Sequence, residues 1–175
     1  MTTKTRAVVF GIFVGIFLMS YLMGTTYKMS SDELSSFLKD FQSSNEGISS
    51  FGIFLHNSSV ALPMFVPAFG VAWGSFTGWQ TGAGFEAMIA SDSSLSGLSP
   101  LSLFLASPFG VFELGAYSLG MSRSFLLIWK IIKRDQLKKQ IIPTLIEIGI
   151  AIVLLLIAGF VESSMMTPQH VSLSS

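Results

Sequence analysis

The stretch Gly70-Val-Ala-Trp-Gly74-Ser-Phe-Thr-Gly78-Trp-Gln-Thr-Gly82 puts a glycine at every fourth position, inside a segment from Gln42 to Ser122 that holds no lysine or arginine. In a water-exposed helix each of those glycines would cost about 1 kcal/mol relative to alanine. In lipid the same spacing clears a groove along which another helix backbone can approach closely. The stretch therefore reads as a packed helix of a membrane protein, and the rest of the chain is consistent with that reading.

Half of the 175 residues are hydrophobic, 11% are charged, and the mean hydropathy is +0.65. Such a composition belongs to a chain with several bilayer-spanning runs. The formal net charge is zero, and most basic residues sit in two short clusters, so there is no broad basic surface for nucleic acid. The absence of cysteine excludes disulfides, thiolate metal sites and cysteine nucleophiles. No cofactor and no metal is expected.

The expected fold is an all-α, polytopic transmembrane helical bundle forming a single membrane domain. Its spans lie at about 7–24, 48–66, 68–90, 101–129 and 141–161. The first follows Lys4 and Arg6 and lacks a small-residue cleavage site, which makes it a retained anchor, with Gly11 and Gly15 as its packing face. Pro63 and Pro67 break the second span from the third in a tight hairpin. Between the first and second spans, Leu34, Phe37, Leu38 and Phe41 recur at helical spacing, and Ser30 and Glu33 stand in capping-box positions. This predicts a short amphipathic helix at about 31–44, a linker on the membrane surface or a docking face. The Ser-rich tail, 163–175, is expected to be mobile.

Lys130, Lys133, Arg134, Lys138 and Lys139 crowd one loop, and Lys4 and Arg6 precede the first span. By the positive-inside rule both are cytoplasmic, so five crossings leave the N-terminus inside and the C-terminus outside the cell membrane. A re-entrant pair between Ile48 and Ala90 would satisfy the same charges. Binding of anionic lipid is a second reading of the lysine run.

Chemistry in such a chain falls to polar groups within the spans, where ionisable side chains are costly and face a partner or cavity. With the fourth span starting at Leu101, Glu113 lies about 18 Å from the outer edge, near mid-membrane, and Glu147 lands at a similar level about 9 Å above the inner edge. His56 and Asn57 reach about 12–14 Å deep from outside. These depths permit one cluster of His56, Asn57, Glu113 and Glu147, acting as interhelical glue, as a proton or cation path, or as a notch for a partner. Ala106, Gly110, Ala116 and Gly120 share the helical face of Glu113, a small-residue stripe suited to close contact. Trp129 beside Lys130 fits an interfacial belt, while Trp73 and Trp79 fit packing.

Enzyme motifs are absent or out of place. Gly82-Ala83-Gly84-Phe85-Glu86-Ala87 nominally matches a dinucleotide fingerprint but has no preceding strand. Burial of Asn57-Ser58-Ser59 would keep that sequon from a glycosyltransferase. His56 and His170 are too far apart to suggest a metal site.

Ser107-Pro108-Phe109-Gly110-Val111-Phe112-Glu113-Leu114 resembles the Pro-His-Gly-x-Phe-Glu segment of the stage II sporulation protein M family of small polytopic membrane proteins. Phe160-Val161-Glu162 with Thr167-Pro168 resembles that family's closing segment. Phe54 to Asn57 and the glycine ladder resemble its second and third helices. Pro108, Gly110, Glu113, Glu162 and Pro168 are thus the family-motif positions, while Phe109 replaces the family histidine and removes any role of an imidazole beside Glu113. The resemblance implies a membrane-embedded partner of peptidoglycan-degrading machinery in sporulating relatives, and in others a fold alone. The expectation is a non-enzymatic scaffold or assembly protein whose partners are membrane lipid and other integral membrane proteins or further copies of itself. The alternatives are an accessory subunit of a larger membrane enzyme and a small transporter or channel with a buried carboxylate pathway.

Overall fold

The computed structural model describes residues 3–45, 49–95, 97–134 and 136–166. Ile48, where the second span was expected to begin, and the tail from Thr167, with Pro168 and His170, lie outside those residues. Among the described residues there are seven α-helices: α1 (Thr3–Gly24), α2 (Ser31–Asn45), α3 (Ser50–Ala61), α4 (Phe69–Ser91), α5 (Pro100–Ala106), α6 (Pro108–Ile132) and α7 (Ile141–Met166). Thr3–Gly24 and Leu137–Met165 are each long and apolar enough to cross a membrane. Pro100–Ala106 and Phe109–Ile132 make a third candidate if, despite a 92° bend, they count as one span.

That bend corrects the expectation of one continuous helix over 101–129. Proline disfavours helical backbone in the residue before it, and Ser107, preceding Pro108, is extended at φ −75° and ψ 122°. Its hydroxyl accepts a hydrogen bond from the Gly110 N–H at 3.3 Å and caps the new helix. Ala106 therefore belongs to α5, where it is exposed, and not to the face of Glu113. The second expected span also stops early: α3 ends at Ala61 and tightens into a 3₁₀ turn, Leu62–Phe65, around Pro63. The chain then reverses through Pro67, Ala68 and Phe69, where the Phe69 N–H donates to the Pro67 carbonyl at 2.8 Å and Ala68 has φ 65°.

Helix directions follow from which residues meet. Gly78 abuts Phe17 and Gly82 abuts Tyr21, so α1 and α4 run parallel. The ring pairs Phe13–Phe125 and Phe17–Tyr117 set α6 antiparallel to α1. Gly115 meets Leu154 and Arg123 meets Glu147, so α7 is antiparallel to α6. Asn57 meets Glu113, Met64 meets Gly120 and Val66 meets Ser124, so α3 with its 3₁₀ turn runs in the direction of α6. Hence α1, α4 and α7 point one way, and α3 and α6 the other.

The glycine ladder serves two neighbours. Each step of four residues overshoots a turn by about 40°, so the ladder winds around α4. Gly70 and Gly74 face Met64, Ser124 and Met121, whereas Gly78 and Gly82 face α1. Around these contacts sits a core of Phe13, Phe17, Tyr21, Met64, Phe104, Tyr117, Met121 and Leu155. α1 presents Phe13, Phe17, Tyr21 and Gly24 to it. Gly11 and Gly15 lie on the opposite side, exposed and with open space where a Cβ would stand, so they are not the face α1 uses within the chain.

α2 begins with the expected reciprocal cap, the Ser30 N–H donating to Glu33 at 2.8 Å and the Glu33 N–H to the Ser30 hydroxyl at 3.4 Å. It packs on α4, with Phe37 against Gly84.

Candidate functional site

The polar residues form two clusters, one toward each end of the bundle. Toward the end where α6 begins, the Asn57 amide donates to Glu113 Oε1. Glu162, near the end of α7, lies within electrostatic reach of Glu113, and Tyr117 within reach of both carboxylates. Gly110, Ala116 and Gly120 on α6 are buried, Gly110 against the Phe104 carbonyl and Gly120 against Met64.

Toward the other end three helices close on one carboxylate. Glu147 of α7 accepts from Arg6 Nε and Nη2 of α1, both at 2.6 Å. It also accepts from Arg123 of α6, through Nε at 2.8 Å and through Nη2. Arg6 Nη1 donates to the Ser122 hydroxyl at 2.9 Å, and Ser122 in turn donates to the Leu119 carbonyl at 2.9 Å. Each guanidinium meets the carboxylate as a two-pronged fork, the geometry in which this pair is strongest and most directional. The side chain of Arg123 is 4% exposed, Glu147 11% and Arg6 17%.

The expected cluster of four is thus two separate groups. Glu113 and Arg123 are ten residues apart on one helix, about 15 Å along its axis. The displacement comes from the break at Ser107, which leaves Glu113 only five residues, about 7.5 Å, into α6 rather than deep in a span starting at Leu101. His56 joins neither group and is exposed on α3. The hydroxyls of Ser58 and Ser118 are buried and make no hydrogen bond to a described residue.

Sequence reasoning missed the two arginines. Arg6 reads naturally as a cytoplasmic flank. Arg123 stands inside an apolar run where an unpaired cation would be costly, and that signal, matched with Glu147, would have found the pair. Lys133, in the basic loop, holds its ammonium 4.6 Å from the centre of the Trp129 ring. Lys130, Arg134, Lys138 and Lys139 cluster at the same end as Lys4. Among the described residues, no three histidine, aspartate or glutamate side chains gather as a metal site.

Compared with known proteins, residues 6–168 match the family model described as Stage II sporulation protein M. No curated protein and no solved structure matches the chain.

Proposed function

The chain belongs to the stage II sporulation protein M family, and from that premise we propose that it is a non-enzymatic, multi-pass scaffold that assembles other integral membrane proteins. The observation that carries this reading is the use made of the ionic groups: Arg6, Arg123 and Glu147 close on one another across α1, α6 and α7. Charges arranged this way hold helices in register, a structural role, instead of lining a route.

The scaffold crosses the cell membrane five times, with α3 and its 3₁₀ turn as the second crossing, α4 as the third and α6 as the fourth. The alternation of helix directions supports this count. So does charge: among the described residues Lys4, Arg6, Arg123, Lys130, Lys133, Arg134, Lys138 and Lys139 stand at one end against Glu147 alone. At the other end Lys28 and Lys39 face Asp32, Glu33, Asp40, Glu86, Asp92, Glu113 and Glu162. The basic end is cytoplasmic by the positive-inside rule, which leaves α2 and α5 outside.

Gentle detergent extraction followed by mass spectrometry of co-purifying chains tests the assignment. A reproducible stoichiometric set of membrane partners is the expected result. One catalytic partner alone selects the accessory-subunit reading. A chain that purifies by itself and carries ion flux in proteoliposomes, lost on Glu113→Gln, replaces the scaffold with a transporter.

A further inference from the structure

α4 keeps one face open. Phe69, Ala72, Phe76 and Gln80 follow one another at helical spacing and are all exposed. Phe69, Trp73, Phe76 and Trp79 form a ladder of ring contacts along this side, with successive centroids 6.0, 5.9 and 6.0 Å apart, the outer two pairs stacked and the middle one tilted. Three polar groups on this side are satisfied: Thr77 donates to the Trp73 carbonyl, Thr81 to the Thr77 carbonyl, and the Trp73 indole to the Val60 carbonyl. The Gln80 amide is not, since no described residue hydrogen-bonds it.

Its position makes that costly. Gln80 is the midpoint of Phe69–Ser91, eleven residues and about 16.5 Å from either end. On the five-crossing reading, on which this inference rests, the amide faces the hydrocarbon core, where an unsatisfied polar group is expensive. Composition agrees. Although it is 23 residues long, α4 is not among the helices apolar enough to cross by themselves. A helix of that makeup suits protein on all sides, not lipid on one.

We infer that the Phe69–Gln80 face of α4 is covered by the same face of a second copy, with the two Gln80 side chains paired across a two-fold axis along the membrane normal. A primary amide carries both donor and acceptor. It is therefore complementary to itself, and a two-fold brings like residues together. The aromatic ladders flank the amide pair and supply the apolar contact.

The chain has no cysteine, so single-cysteine variants report without background. In native membranes, oxidation should cross-link Phe76→Cys and Gln80→Cys into dimers and leave Val153→Cys, exposed on α7, monomeric. No dimer at either α4 position, or equal dimer at Val153, overturns the inference. In detergent, Gln80→Leu should raise the dimer dissociation constant about threefold to thirtyfold, the range measured for interhelical side-chain hydrogen bonds. An unchanged constant also overturns it. Thermal melting of both variants reports folding separately. A monomer that still recovers its membrane partners removes self-association and leaves the scaffold; a dimer without partners does the reverse.

Discussion

Glycine positions in this bundle differ by what a methyl group would strike. At Gly82 it would meet the Tyr21 carbonyl and at Gly70 the Met64 carbonyl, backbone groups with nowhere to go. Gly82→Ala and Gly70→Ala should each cost about 2–3 kcal/mol in detergent unfolding. Gly74→Ala meets only the Met121 side chain and should cost less, whereas Gly11→Ala meets nothing and should cost none. Ala68 presents the opposite case. The turn at φ 65° and ψ −49°, closed by the Phe69 N–H on the Pro67 carbonyl, is a rare and strained γ-turn for a residue with a Cβ. Ala68→Gly should raise stability by about 1 kcal/mol in the same assay. Neither the strain nor the glycine contacts follow from spacing alone, since a ladder of four glycines does not say which backbone each one meets.

Among the elements, α2 carries a titratable cap. The Ser30 backbone N–H, the Ser30 hydroxyl and the Tyr27 hydroxyl all donate to Glu33 and hold its carboxyl below the ordinary glutamate value. The bond to Glu33 raises Tyr27 correspondingly. Because the carboxyl is lowered in the folded state, its contribution is complete above the ordinary glutamate range and is lost as pH falls through the folded value. Amide exchange at Leu34, whose N–H is bonded to the Ser30 carbonyl, should accelerate relative to the α4 core on acidification below that range. Glu33→Gln should remove most of the difference. The cap was readable from Ser30 and Glu33 because its partners are three residues apart. The break at Ser107 is harder to see in the sequence, although Ser107-Pro108 carries a local helix-start signal, because the apolar run continues across it and predicts one helix with Glu113 deep inside.

The whole molecule is tied at one end by Glu147, among the described residues the one carboxylate shared by two guanidiniums from different helices. Removing it strands both cations in a largely buried site, so Glu147→Gln should cost about 3–5 kcal/mol in denaturant-induced unfolding. Arg6→Gln should cost less, because Arg123 still neutralises the carboxylate and the Arg6 site is the more exposed of the two. Orientation is testable at this scale as well. Single cysteines replacing Lys133 and Ser94 should react with a membrane-impermeant maleimide from opposite sides of sealed cells, Ser94→Cys from outside.

Composition and period determined that the chain is helical, apolar and packed through glycine, because those properties depend on which residue types recur and at what interval. The family, too, was readable from short motifs in order along the chain. Only the tertiary structure decided which polar groups share a site. Asn57 meets Glu113 across 56 positions and Arg6 meets Glu147 across 141. Pairs so remote in sequence leave no local signature, and one extended residue at Ser107 was enough to set Glu113 near the start of α6, away from the carboxylate it was expected to join.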